Sequence, residues 1–166
     1  MEKIAKKILL IQPRANARSM LARRIGEAGH TVIEANTALD ALATLQREAV
    51  DLVLTELRLP GRDAIEFTRL VREQAAHEDL PILVIAGRRE GGAAVEAYAA
   101  GADDVIAKPF DTDVLIARIA RRLAKADAFH ALRHDNARLD ARVIERAIAL
   151  GELRDEMKAL RLGRPA

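Results

Sequence analysis

Residues 51–61, DLVLTELRLPG, decide the fold. Leu52, Val53 and Leu54 form an unbroken apolar run. A strand with one face in water would alternate apolar and polar residues, so an unbroken run predicts a strand covered on both faces, as in a parallel sheet. Leu59-Pro60-Gly61 then turns the chain and leaves an acid, Glu56, at the strand's carboxyl end. The position of that acid is the functional question.

Working outward, Ile8-Leu9-Leu10-Ile11 and Ile82-Leu83-Val84-Ile85 are runs of the same kind, and Thr31-Val32-Ile33 and Val105-Ile106-Ala107 complete five predicted strands. Between them lie patterns of period 3.6: residues 14–28 with Met20, Leu21 and Ile25, residues 37–48 with Leu39, Leu42 and Leu45, and residues 62–75 with Ile65, Phe67 and Leu70. Gly29 is placed to stop the first helix, Asn36 or Thr37 to cap the second, and Pro81 to open a strand where a missing N–H is tolerated. The alternation predicts an α/β fold, a doubly wound five-stranded parallel sheet with helices on both faces. In such folds the site lies at the carboxyl ends of the strands.

Composition sets the bounds. Of 166 residues, 50% are hydrophobic, enough for a core, and the 31% that are charged nearly cancel to a net +2, which is weak support for nucleic-acid binding. There is no cysteine, which excludes disulfides, thiolate metal sites and a cysteine nucleophile. Ser19 is the only serine and lies in the first helical pattern, so no hydrolase triad is visible and no enzymatic activity is expected. The basic start is followed by an apolar run of only four residues, too short for a signal peptide, and no later segment approaches a membrane span; a cytoplasmic protein is expected.

From Asp111 to about Leu162 there is no proline and only Gly151, which predicts a long helix extending the domain, with boundaries at 6–124 and 125–162. Its apolar positions keep a seven-residue spacing. Phe129, Asn136, Val143, Leu150 and Met157 form one track, and Leu132, Leu139, Arg146, Leu153 and Leu160 the other. Asn136 at a seam position favours a parallel, in-register homodimer, while Arg146 and Gly151 weaken the middle. The alternative is a single helix folded back on the domain.

The chain from about residue 6 to 124 resembles a response-regulator receiver domain of two-component signalling, through DLVLTELRLPGRD, PILVIAG and GADDVIAKPF in that order and spacing. The resemblance implies an acidic pair after the first strand that holds Mg²⁺, where this chain has Gln12 and Pro13. It implies a phosphate-accepting aspartate at the end of the third strand, where this chain has Glu56. It implies Thr or Ser after the fourth strand and an aromatic switch in the fifth, where this chain has Ala86 and Val105. Only the lysine, Lys108, is kept.

Phosphoryl transfer to a carboxylate needs a metal to neutralise the phosphoryl oxygens, and Mg²⁺ needs hard oxygen ligands, usually one or two carboxylates. Proline has no side-chain ligand and glutamine at best a neutral carbonyl, so no metal or other cofactor is expected. Glu56 reaches about 1.5 Å further than aspartate. It is therefore expected to meet Lys108 in a permanent ion pair that stands in for a phosphorylated state. Three alternatives remain: Glu56 as a solvated relic, Glu56 as a phosphoacceptor in a phosphorylation-dependent regulator, and a DNA-associated scaffold.

Lesser signals are read blandly. His130 and His134 lack a third ligand. Asp103-Asp104 suits a turn or cap, and residues 87–92, Gly-rich and basic, a mobile loop. Arg121, Arg122 and Lys125, followed by Arg138, Arg142 and Arg146, are interrupted by Asp135, Asp140, Glu145 and Glu152, so nucleic acid is not the expected partner. The segment LRHDNARLDARVIERAIALGELRDEM is similar to coiled-coil signalling helices, which implies a signalling protein as partner. Either the chain is a piece of a longer protein or the helix itself is the output.

Overall fold

The computed structural model describes residues 4–163. The five apolar runs form β1 (Lys7–Ile11), β2 (Thr31–Ala35), β3 (Leu52–Glu56), β4 (Ile82–Ala86) and β5 (Asp104–Ala107), in one sheet of order β2-β1-β3-β4-β5 with every pair parallel. The connecting helices are α1 (Ala15–Glu27), α2 (Ala38–Arg47), α3 (Ala64–Arg72), α4 (Gly91–Ala100) and α5 (Thr112–Leu162), with a short 3₁₀ turn at Ala75–His77. The predicted doubly wound fold is the one observed.

Alternation along each central strand feeds two cores. In β1, Leu9 and Ile11 face a layer with Ala41 and Leu45 of α2 and Phe67 and Val71 of α3, whereas Ile8 and Leu10 face a layer with Leu21 and Ile25 of α1 and Leu115, Ile119 and Leu123 of α5. Both faces of the sheet are thus buried, which is why the runs are unbroken.

Several expectations need correction. Met20 and Leu39 are exposed, because α1 turns Leu21 and Ile25 inward and α2 meets the sheet through Ala38, Ala41 and Leu45. Of the two expected candidates for the α2 cap, Thr37 is the one used, its hydroxyl accepting from the Asp40 N–H at 3.1 Å. Asp63 caps α3 in the same way, accepting from Glu66 N–H at 2.9 Å, so that helix begins two residues later than the pattern over 62–75 suggested. Gly29 has φ +92° just past α1, a conformation that disfavours a side chain. The segment 87–92 is not wholly a loop: Gly91 and Gly92 are the first residues of α4. That helix is half alanine and buries only Ala97 fully, so its apolar periodicity is faint.

The chain divides into two compact units, Met1–Ala126 and Asp127–Ala166. The first holds the sheet and both cores. In the second, every described residue is helical up to Leu162, and all of residues 127–163 are exposed.

Candidate functional site

Parallel register brings the strand ends together: Glu56 is level with Ile85 and Ala86 with Ala107, while Ile11 is level with Thr55. Gln12, Glu56, Ala86 and Lys108 therefore converge at one edge. Both oxygens of the Glu56 carboxylate have a partner there. Its Oε1 pairs with the Lys108 ammonium and its Oε2 accepts from Gln12 Nε2 at 2.9 Å. Gln12 Oε1 accepts from the Arg14 N–H at 3.1 Å. Only one orientation of the amide satisfies both neighbours, because the carboxylate needs a donor and the backbone N–H an acceptor.

Gln12 is held firmly. Its side chain and backbone are buried, its N–H donates to Ala35 O at 3.1 Å, and its O accepts from Arg18, whose Nε also meets Glu34 at 2.9 Å. The Glu56 side chain is 13% exposed and that of Lys108 40%, so the pair sits at a partly wet edge and its net contribution is about 1 kcal/mol.

These residues do not fit Mg²⁺. Pro13 offers no side-chain oxygen, the Gln12 carbonyl is turned to a backbone N–H, and both Glu56 oxygens face donors. Among the described residues no three acidic or imidazole groups are placed to hold a metal ion together. Ala86 is buried and supplies no hydroxyl, only its backbone O to Lys108 N–H at 2.8 Å.

Two residues absent from the sequence reading complete the mouth of the pocket. Glu90 accepts from Gly87 N–H at 2.6 Å and from Arg58 Nε at 2.7 Å, tying the loop after β4 to the loop after β3. The Arg58 hydrogen bond, followed by that of Gly87, holds the Glu90 carboxyl below its ordinary value, and Glu90 raises the Arg58 guanidinium. A side chain at position 87 would meet Glu90 Oε2 at 2.9 Å, so glycine is what allows this approach. The signal in the sequence was an acid three residues after a glycine and just before a helix.

Val105 is half-buried in β5, level with Val84. The aromatic nearest to it comes from α4 instead: Tyr98 Oη accepts from Val105 N–H at 3.1 Å and donates to Asp104 Oδ1 at 3.3 Å. Asp104 also receives Arg118 at 2.9 Å, fastening β5 to α5. Asp103 accepts from Ile82 N–H at 2.8 Å and Arg72 at 2.9 Å at the opposite ends of the strands. Asp103 and Asp104 thus tie elements together in place of forming a metal pair.

The comparisons with known proteins agree with the fold. The family profile described as the response regulator receiver domain matches residues 8–120. The chain belongs to the response regulator receiver family. This receiver is 35% identical over 123 residues to the two-component response regulator PhoP of Pseudomonas aeruginosa, covering 74% of this chain and 54% of that protein. It is 31% identical over 116 residues to the phosphate regulon transcriptional regulatory protein PhoB of Escherichia coli, covering 70% and 51%. It thus spans about half the length of these relatives. Among solved structures it resembles a putative response regulator from Chloroflexus aurantiacus (TM-score 0.70, 27% identity, 73% of this chain and 99% of that one) and NtrX from Brucella abortus (0.72, 29%, 78% and 29%). The expectation against nucleic acid gains no support here, since PhoB is named a transcriptional regulator.

On the helical extension, Phe129, Leu132, Leu139, Val143, Leu150, Leu153, Met157 and Leu160 are all exposed, between 45% and 73%. Asn136 and Arg146 are exposed among them. His130 lies edge-on to the Phe129 ring, with centroids 6.3 Å apart. No helix among the described residues is long and apolar enough to cross a membrane.

Proposed function

We propose that this receiver has left phosphoryl chemistry and acts as a fixed interaction module in signal transduction, without enzymatic activity and without a bound metal. One observation carries the reading: both oxygens of Glu56 are already taken, one by the Lys108 ammonium and one by the Gln12 amide. A receiver's lysine normally has a phosphoryl group to meet; here an extra methylene brings a carboxylate to it. The Glu56–Lys108 pair then mimics the phosphorylated arrangement permanently. The Arg58–Glu90 bridge supports the same view, since it fixes the loop after β4 without any hydroxyl at Ala86. The module works in the cytoplasm as a homodimer through the exposed seam of α5 and offers its surface to a signalling protein.

The test is incubation with acetyl phosphate and Mg²⁺ followed by intact-mass measurement. No phosphoryl adduct is expected. An adduct on Glu56 would establish the second reading, a phosphorylation-dependent regulator, which the retained Lys108 favours. Mimicry itself is tested by Glu56→Gln: unchanged dimerisation and unchanged partner affinity would reduce Glu56 to a relic. Salt-dependent binding to duplex DNA would instead support the scaffold reading, which the likeness to PhoB favours.

A further inference from the structure

The seam of α5 is apolar, exposed over residues 127–163, and flanked by charges whose order carries information beyond the existence of a dimer. With Phe129, Asn136, Val143, Leu150 and Met157 as one track, the flanking positions after the second track hold Arg133, Asp140, Ala147, Arg154 and Arg161. Those before the first track hold Asp135, Arg142, Ala149 and Glu156. In a parallel pair, each residue of the latter set lies beside the partner's residue of the former set in the next heptad. Asp135 then meets a second Asp140, which repels, and Glu156 meets a second Arg161, which attracts. The remaining contacts involve Ala147 or Ala149 and are neutral.

An antiparallel pair with the seam fully overlapped gives a different sum. Asp135 would lie beside Glu156 and Arg133 beside Arg154, both repulsive, with nothing attractive to offset them. The layers are worse as well. Asn136 would face Leu153 and Arg146 would face Val143, leaving an amide and a guanidinium against apolar groups. In the parallel register Asn136 faces its own copy, and the two amides can bond to each other. Arg146 also faces its copy, but Ala147 and Ala149 beside it are short and leave the guanidinium a path to water.

Resting on the dimer reading, we infer that the second copy binds parallel and in register. The half of the seam from Leu150 to Leu160 holds the pair, while the half around Asn136 repels itself through Asp135 and Asp140. The zipper is asymmetric. Its far half combines Leu150, Leu153, Met157 and Leu160 with the attractive pair, and its near half combines a buried amide with like charges. The intrahelical Arg138–Asp135 contact, 3.5 Å on an exposed face, only partly offsets that repulsion.

The absence of cysteine makes a clean test possible on the full chain. Met157→Cys should form an interchain disulfide under mild oxidation, because each Met157 faces its own copy. If the pair is antiparallel, Met157→Cys alone will not link, but a mixture with Leu132→Cys will, and the inference falls while the dimer stands. If sedimentation finds only monomer, the dimer reading itself falls. For the asymmetry, Asp140→Arg should tighten the dimer roughly tenfold at low salt and Arg161→Glu should weaken it roughly tenfold, both effects fading at high salt. Loosening by Asp140→Arg, or no change from either variant, would overturn it.

Discussion

The pocket at the strand ends and the exposed stretch of α5 are in opposite states, one made of polar groups that are already partnered and the other of apolar groups that are not covered. At the pocket, charged and polar groups meet inside one chain: Glu56 with Lys108 and Gln12, Glu90 with Arg58 and Gly87. Along residues 127–163 the apolar track stays in solvent. A group that is already partnered cannot readily take a ligand, and a surface that is not yet covered invites one. On the proposed reading, the receiver's switch is closed internally and its interaction capacity lies on the helix.

Variants that separate the two regions give the largest effects. Phe67→Ala, in the fully buried core, should lower the unfolding free energy by about 3–5 kcal/mol in denaturant titrations, at any protein concentration. Leu153→Asp, in the seam, should leave that value within about 0.5 kcal/mol while abolishing self-association in sedimentation. An equal loss of stability from both would show that the seam belongs to the domain's own core. Next in size is Arg72→Ala, with an expected loss of about 2–3 kcal/mol. This guanidinium donates to the carbonyls of His77, Leu80 and Gly101 and to Asp103, and no other side chain replaces those contacts.

Within the pocket the effects are smaller and sharpen the contrast. Glu56→Gln leaves Lys108 without its acid and should cost about 1 kcal/mol. Glu56→Asp alone should not restore phosphorylation by acetyl phosphate, because Gln12 and Pro13 still offer no anionic ligand; Gln12→Asp and Pro13→Asp together with Glu56→Asp should. The smallest effect concerns pH. The Glu90 carboxyl is depressed in the folded state, so its stabilising tie is fully present above its ordinary value of 4.5 and is lost only as pH falls through the lower folded value. Hydrogen exchange at the Gly87 amide should stay protected through pH 4.5 and loosen below it. Loosening that begins above that value would contradict the tie.

The contrast also explains what could be read from the sequence. The sheet was readable because strands buried on both faces must be apolar throughout, as Leu52-Val53-Leu54 is, and the long α5 because residues 111–162 hold no proline and a single glycine. Helix α4 was not, since an alanine-rich helix that opens with Gly91-Gly92 shows almost no periodicity. In the sequence Gln12 stands out only as a poor metal ligand, through the neutral oxygen of its amide. The nitrogen is the end that faces Glu56. Arg58 and Glu90 are hard to pair from sequence because they lie 32 residues apart in different loops, and Tyr98 because its bonds to Asp104 and Val105 join a helix without periodicity to the next strand.

The partnering of Glu56 by its own chain defines the pocket. It is tested most directly by following the Gln12 side-chain amide resonances by NMR during titration with Mg²⁺ and beryllofluoride. They should not move, because the amide stays on Glu56. Saturable shifts of the Gln12 amide together with the Lys108 signals would show ion and phosphoryl mimic entering the pocket, and would contradict it.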